Sequence, residues 1–398
     1  MPSQFRKDHI RELDGIRGIA VLMVLWVHLP KGALGSAVRH AQSIVIPGNL
    51  GVDLFFVLSG FLITRILLVD RERGVPLRYF LFRRFLRIFP IYYLTIAILL
   101  DRHRVSESIA AATYASNYFS IFHKPSWPLE HSWSLAVEEH FYLFWPPIVA
   151  FFTPKVSHRA LLFGVIPLAL ATLAWAFFFG PWAEHDAAMH KFVLRSSTVR
   201  FLSLGLGALV AYHELRLRSS KWLSGAIVAA AVLGSATLTL RGLHFTGLEP
   251  FFQQNEATHN VANWYMSVVR VMSFPLISVA TVVLAVAWSG SRLPIAWIFR
   301  IGVLGWVGRI SYGLYLYHFP IFKARGIWGA NSVEPEPLRT FVVLLLCFGV
   351  ATASYWIIER PLLRFGGRFR GVPNSKPTDP HGSDSEGADT NVPTPAAS

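Results

Sequence analysis

"GVDLFFVLSGFLITRILLV", residues 51–69, decides the fold class of this chain. Its nineteen residues carry charge only at Asp53 and Arg65. About 20 predominantly apolar residues in an α-helix match the hydrocarbon thickness of a bilayer. Nine further runs of the same kind lie at 14–30, 86–101, 133–153, 160–180, 197–213, 222–241, 267–289, 302–322 and 339–359. Together they predict an all-α polytopic membrane protein of about ten transmembrane helices. Residues 105–122 are weaker, because Ser106, Glu107, Ser108, Ser116 and Asn117 make them polar for a span. That segment reads as interfacial or re-entrant. Composition agrees: of 398 residues 53% are apolar and only 15% charged, where a soluble domain carries about a quarter charged residues. A water-soluble globule is excluded. So is a disulfide scaffold, since Cys347 is the only cysteine.

The formal charge of +14 is explained by Lys and Arg retained in cytoplasmic loops, and no nucleic-acid partner is expected. With the N-terminus placed in the cytoplasm, 21 Lys and Arg fall in inside segments and 11 in outside ones. That asymmetry, and the even number of runs, predict both termini cytoplasmic. The first run follows basic residues as a signal peptide does, but Arg17 interrupts it and nine more runs follow. Pro, Ser, Thr, Gly and Asp dominate beyond about Gly371, so 371–398 reads as a disordered cytoplasmic tail.

Ionisable side chains inside spans are costly and mark candidate sites. In "LDGIRGIAVLMVLWVH" (13–28), Arg17 and His28 are eleven residues apart. At 100° per residue they share one face, separated by roughly 16 Å along the helix axis. Arg17 snorkelling to headgroups and His28 resting at an interface is the plainer alternative. Arg84 and Arg87 stand i, i+3 in "RRFLRIFP" (83–90), which makes either a bidentate anion site or a cluster touching lipid phosphate. Glu138 lies in the apolar, aromatic "WSLAVEEHFYLFWP" (133–146). A carboxylate there orients an imidazole, pairs with an Arg, or simply locks two helices. Tyr312 and His318 in "SYGLYLYHFPI" (311–321) read as site residues or as an aromatic belt. There is no P-loop, GxSxG or HExxH, and His131 and His140, nine apart, are poor evidence for zinc. No metal is expected.

Six segments, "GNLGVDLFFVLSGFLIT" (48–64) and "IERPL" (358–362) with the four just quoted, fall in one order over residues 9–365. In that order the chain resembles the acyltransferase type 3 family of integral-membrane O-acyltransferases. The resemblance implies ten spans and transfer of an acyl group, often acetyl, from cytoplasmic acyl-CoA, with no bound cofactor. Acceptors in the family are hydroxyls on sugars, lipopolysaccharide, peptidoglycan or secondary metabolites. It implies an integral-membrane acyltransferase domain over 9–365, a multi-pass protein of the bacterial cytoplasmic (inner) membrane, with the lipid bilayer, acyl-CoA and a hydroxyl-bearing acceptor as partners. Residue by residue, the family's first-span Arg and His fall on Arg17 and His28. Its arginine pair falls on Arg84 and Arg87, and its Trp-Ser-Leu acid on Glu138. Position 140 is His, where Gln is common in the family. Some members carry a fused SGNH hydrolase-like domain; no room for one is seen here, so acceptor handling is expected in the membrane part or a partner.

On this reading Arg17, Arg84 and Arg87 hold the acyl-CoA phosphates, and His28 takes the acceptor hydroxyl's proton or is itself acylated. Gly51, Ser59 and Gly60 permit close helix packing. Asp53 is a further candidate, or only a cap for the second span. The rival class is a carrier or flippase of acylated or lipid-linked molecules, which intramembrane Arg, Glu and His suit equally well.

Overall fold

The computed structural model describes residues 9–29, 48–123, 128–179, 186–247, 256–324 and 337–368. Among these residues every regular element is helical. The tail predicted over 371–398 lies outside them. Helices α1 (Arg11–His28), α2 (Gly48–Glu72) and α3 (Leu77–Ile98) take up the first three apolar runs. The polar segment that follows is two short helices, α4 (Val105–Ala112) and α5 (Ser116–Phe122). They break at Tyr114, whose φ of 55° no helix interior accommodates. Neither is long enough to span. A 3₁₀ turn, Glu130–Ser132, leads into α6 (Trp133–Phe151).

The fifth run is α7 (Pro154–Ala160) continued through a π-turn, Leu161–Val165, into α8 (Ile166–Phe179). Then come α9 (Asp186–Arg195), α10 (Ser197–Tyr212), α11 (Glu214–Ser219), α12 (Lys221–Gly247) and α13 (Glu256–Ala287). Short α14 (Pro294–Ile298) precedes the ninth run, which is not one helix. It is α15 (Gly302–Arg309) and α16 (Ser311–Lys323), with the break at Ile310. The last run is α17 (Pro337–Ser354), a π-turn Tyr355–Glu359 and α18 (Arg360–Arg368).

Each of the ten runs therefore coincides with helix, and six helical stretches are long and apolar enough to cross a membrane. Three of the other four owe their lower apolarity to what they carry. Helix α1 holds Arg11, Glu12, Asp14 and Arg17 in its first two turns. Arg78, Arg83, Arg84 and Arg87 lie on α3, and Glu138, Glu139 and His140 on α6 with Pro146 and Pro147. The fourth is the broken α15–α16 pair. Chemistry and hydropathy compete for the same positions.

Helix α2 is central: 78% of its apolar window is buried, against 11% for α12. Backbones cross closely where side chains are absent. A Cβ on Gly60 would collide with the Leu204 carbonyl of α10, and one on Gly207 with the Val57 carbonyl of α2. Gly18 and Gly308 bring α1 against α15 in the same way. Such small-residue crossings let dispersion contacts do in lipid what the hydrophobic effect does in water. Leu168 and Phe178 of α8, Leu233 and Leu240 of α12, and Leu345 and Ile357 near the C-terminal end stand exposed, as a lipid-facing surface requires.

Buried charges tie the core together. Asp53 does not cap α2. It lies inside the helix, accepts hydrogen bonds from Arg200 Nη2 (2.9 Å) and Ser203 Oγ (2.6 Å) of α10, and is completely buried. Capping is lost to it because α2 begins at Gly48, more than a turn earlier. Arg65 likewise donates to Glu214 at 2.6 Å, and Glu214 also faces Arg218 at 2.9 Å.

Candidate active site

Two cavities lie in the helix bundle along the face of α1. The larger, about 300 Å³, is lined by Arg17 of α1, Ser59 of α2, Arg83, Arg84 and Arg87 of α3, Glu138 and Tyr142 of α6, and Tyr312 and Tyr315 of α16. Four guanidiniums face one space because α3 presents Arg83, Arg84 and Arg87 within little more than one turn. Arg83 is tied to Asp70 at 2.7 Å. Arg84 Nη2 donates to Glu139 (3.3 Å) and stands 3.7 Å from Glu138, with its plane over the Tyr142 ring. Arg17 stands 3.6 Å from Asp14, one turn back. Glu138 accepts from Ser59 Oγ (3.0 Å) and Tyr142 Oη (3.1 Å). Its neighbours are thus an Arg and two hydroxyls, with no imidazole lining the same cavity.

The smaller cavity, about 150 Å³, holds His28, Asp53, His131, Arg195, Arg200 and Arg270. Val52 and Tyr315 line both spaces, so the two share a wall. Tyr315 Oη donates to the His131 carbonyl at 2.7 Å and meets Ser134 Oγ, which fixes its ring in that wall. Tyr312 Oη donates to the Ile88 carbonyl at 3.0 Å.

His28 closes α1 beside two other imidazoles. The ring centroids of His28 and His318 are 5.1 Å apart, and those of His131 and His318 are 5.0 Å apart. The hydrogen-bond pattern assigns the tautomers. His318 Nδ1 donates to the Leu314 carbonyl (3.0 Å), so its Nε2 is an acceptor. His28 Nδ1 is 2.9 Å from the Val24 carbonyl and 3.2 Å from His318 Nε2. The proton therefore sits on His28 Nδ1, shared between those two acceptors, and His28 Nε2 is left bare as a base. Among the described residues no group of three His, Cys, Asp or Glu is placed to hold a metal ion.

A family model described as an acyltransferase domain matches residues 10–358. The chain belongs to the acyltransferase type 3 family. Similar proteins include the peptidoglycan O-acetyltransferase OatA of Listeria monocytogenes, 27% identical over 391 residues, covering 92% of this chain and 57% of that protein. YrhL of Bacillus subtilis is 29% identical over 390 residues, covering 90% of this chain and 56% of that one. The chain thus spans little more than half the length of these relatives. No solved structure matches it.

For this acyltransferase-family chain, the structure gathers Arg17, Arg84, Arg87, Glu138, Ser59 and Tyr312 at one cavity and His28 with Asp53 at the other. His318 stands behind His28, fully buried. His140, the departure from the family's usual Gln, meets Ser197 Oγ of α10 at 2.6 Å and stacks on Tyr118. There it joins helices and lines neither cavity. Sequence reasoning missed Arg83, Arg195, Arg200 and Arg270 as cavity residues. Only Arg200 and Arg270 carried a local signal, a lone charge inside an apolar run.

Proposed function

We propose that this chain is an integral-membrane O-acyltransferase that moves an acyl group, acetyl in the first instance, from acyl-CoA to a hydroxyl of a cell-envelope glycan. The observation that carries the reading is the pair of cavities with a common wall, one cationic and one holding a bare imidazole nitrogen. Membership of the acyltransferase family and the peptidoglycan O-acetyltransferase name of a relative support the reaction and the acceptor class.

Arg84, Arg87 and Arg17 bind the donor's phosphates through charge-assisted hydrogen bonds. Ten spans with both termini cytoplasmic, in the bacterial inner membrane, put that cavity on the side where acyl-CoA is found. The pantetheine arm then passes the wall at Val52 and Tyr315, bringing the thioester toward His28, roughly 16 Å along α1 from Arg17. His28 Nε2 takes the acceptor hydroxyl's proton while the oxygen attacks the thioester carbonyl. The carbon–sulfur bond breaks, the thiolate recovers the proton from the imidazolium, and ester and free CoA leave. His318, accepting from His28 Nδ1, keeps the basic nitrogen turned to the acceptor. Glu138 holds Arg84 and the Ser59 hydroxyl in place.

Mass spectrometry of envelope glycans from cells with and without the gene tests this. O-acyl groups lost on deletion and restored by the intact gene are expected. Glycans identical in both strains would reject the acceptor class.

A further inference from the structure

The cavity beside His28 has a cationic wall that proton abstraction does not require. Arg195 of α9, Arg200 of α10 and Arg270 of α13 converge there. Asp53 neutralises Arg200, and Glu130 stands 3.2 Å from Arg195. Arg270 forms no hydrogen bond or ion pair among the described residues, although it lies within the apolar span Tyr265–Ala287. The cavity's buried polar atoms are short of acceptors as well. Among the described residues Arg195 Nη1 and Arg200 Nε have no hydrogen-bond partner, and neither has the His131 ring, which when neutral offers one N–H donor. Unmatched donors and an unpaired cation in a low-dielectric setting are costly unless a ligand completes them. An anion does so.

We infer that this cavity is a binding site for an anionic oxygen group, carboxylate or phosphate, carried by the acceptor. Arg270 and Arg195 grip the group, so that a neighbouring hydroxyl faces His28 Nε2. Guanidiniums suit the task because their planar fork bonds two oxygens of one anion at once. Arg200, already held by Asp53, positions the pair. The inference rests on the acyl-transfer reading only in calling the ligand an acceptor; the anion site stands on the cavity itself.

The test is binding by the full chain in lipid nanodiscs, carrying Arg84→Ala with Arg87→Ala so that the other arginine cavity is disabled. Glucose, glucuronate and glucose 6-phosphate are the probes, read by saturation-transfer NMR. At least one anionic sugar is expected to bind tenfold or more tighter than glucose, and the stronger of the two names carboxylate or phosphate as the group. Arg270→Gln should erase that preference. Among the described residues Arg270 has no partner to lose, so the variant should fold; Arg195→Gln is the second variant should it fail to. Equal affinity for all three sugars, or a preference that survives both substitutions, overturns the site. Anion binding that persists while envelope acylation proves independent of the gene would instead reject the acyl-transfer reading alone.

Discussion

In the proposed reaction His28 has one job that packing cannot imitate. Its Nδ1 proton is committed to Val24 and His318, which leaves Nε2 to accept. Losing a general base costs about 10²–10⁴-fold in rate, so His28→Ala and His28→Gln should both abolish detectable transfer while the protein still binds acyl-CoA. An active His28→Gln enzyme would sink the mechanism, since Gln keeps bulk and hydrogen bonding but cannot take a proton. Arg84→Ala with Arg87→Ala removes charge-assisted bonds worth roughly 1.5–3 kcal/mol each. Donor affinity should fall at least tenfold in the purified protein, and Lys replacements should recover only part of it because a point charge lacks the fork. Unchanged donor binding would make these arginines lipid-phosphate contacts. Asp53→Ala belongs to stability as well as to the site. It strands Arg200, which is only 2% exposed, and breaking a buried pair costs about 3–5 kcal/mol. A marked fall in thermal midpoint is expected, and an unshifted midpoint would show that water or lipid reaches Arg200.

Helices here are placed by what they lack. The α2–α10 crossing depends on Gly60 and Gly207, each against a carbonyl of the other helix. Gly60→Val must push two backbones apart, at or beyond the ~1–3 kcal/mol typical of overpacking. Gly225 of α12 has open space around its α-carbon, so Gly225→Val serves as the control. Thermal unfolding in detergent should separate the two variants clearly, and equal midpoints would mean that the crossing is not tight in solution. Gly308 likewise brings the end of α15 against the Asp14 carbonyl of α1, and α16, which starts after Ile310, turns Tyr312 and Tyr315 to the larger cavity.

Across the whole molecule, orientation decides which cavity would meet the proposed acyl-CoA donor. Cys347 is the only cysteine and is buried, so single surface cysteines can be read without background. Ser106→Cys on exposed α4 should react with an impermeant maleimide from outside. Arg73→Cys, exposed after α2, should react only once the membrane is opened. The reverse pattern would place the arginine cavity outside and remove the cytoplasmic donor from the reaction.

Hydropathy is a property of neighbours in the chain, so the sequence by itself determined that the protein is helical and where its apolar runs fall, though not that the ninth breaks at Ile310. The α-helical period did as much for Arg17 and His28, which it put on one face and which do line adjoining cavities. Pairings between helices have no such local record. Asp53 meets Arg200 across 147 positions, and His318 meets His28 across 290. Those distances depend on which helices cross and at what depth, and hence on glycine contacts that a hydropathy profile does not register. The same crossings divide the polar interior at Val52 and Tyr315, sending Glu138 to the arginines and His28 to a separate chamber. Only the tertiary structure decided that division, because a side chain's chemistry can be read from its type, whereas its partner is chosen by the packing of backbones far apart in the chain.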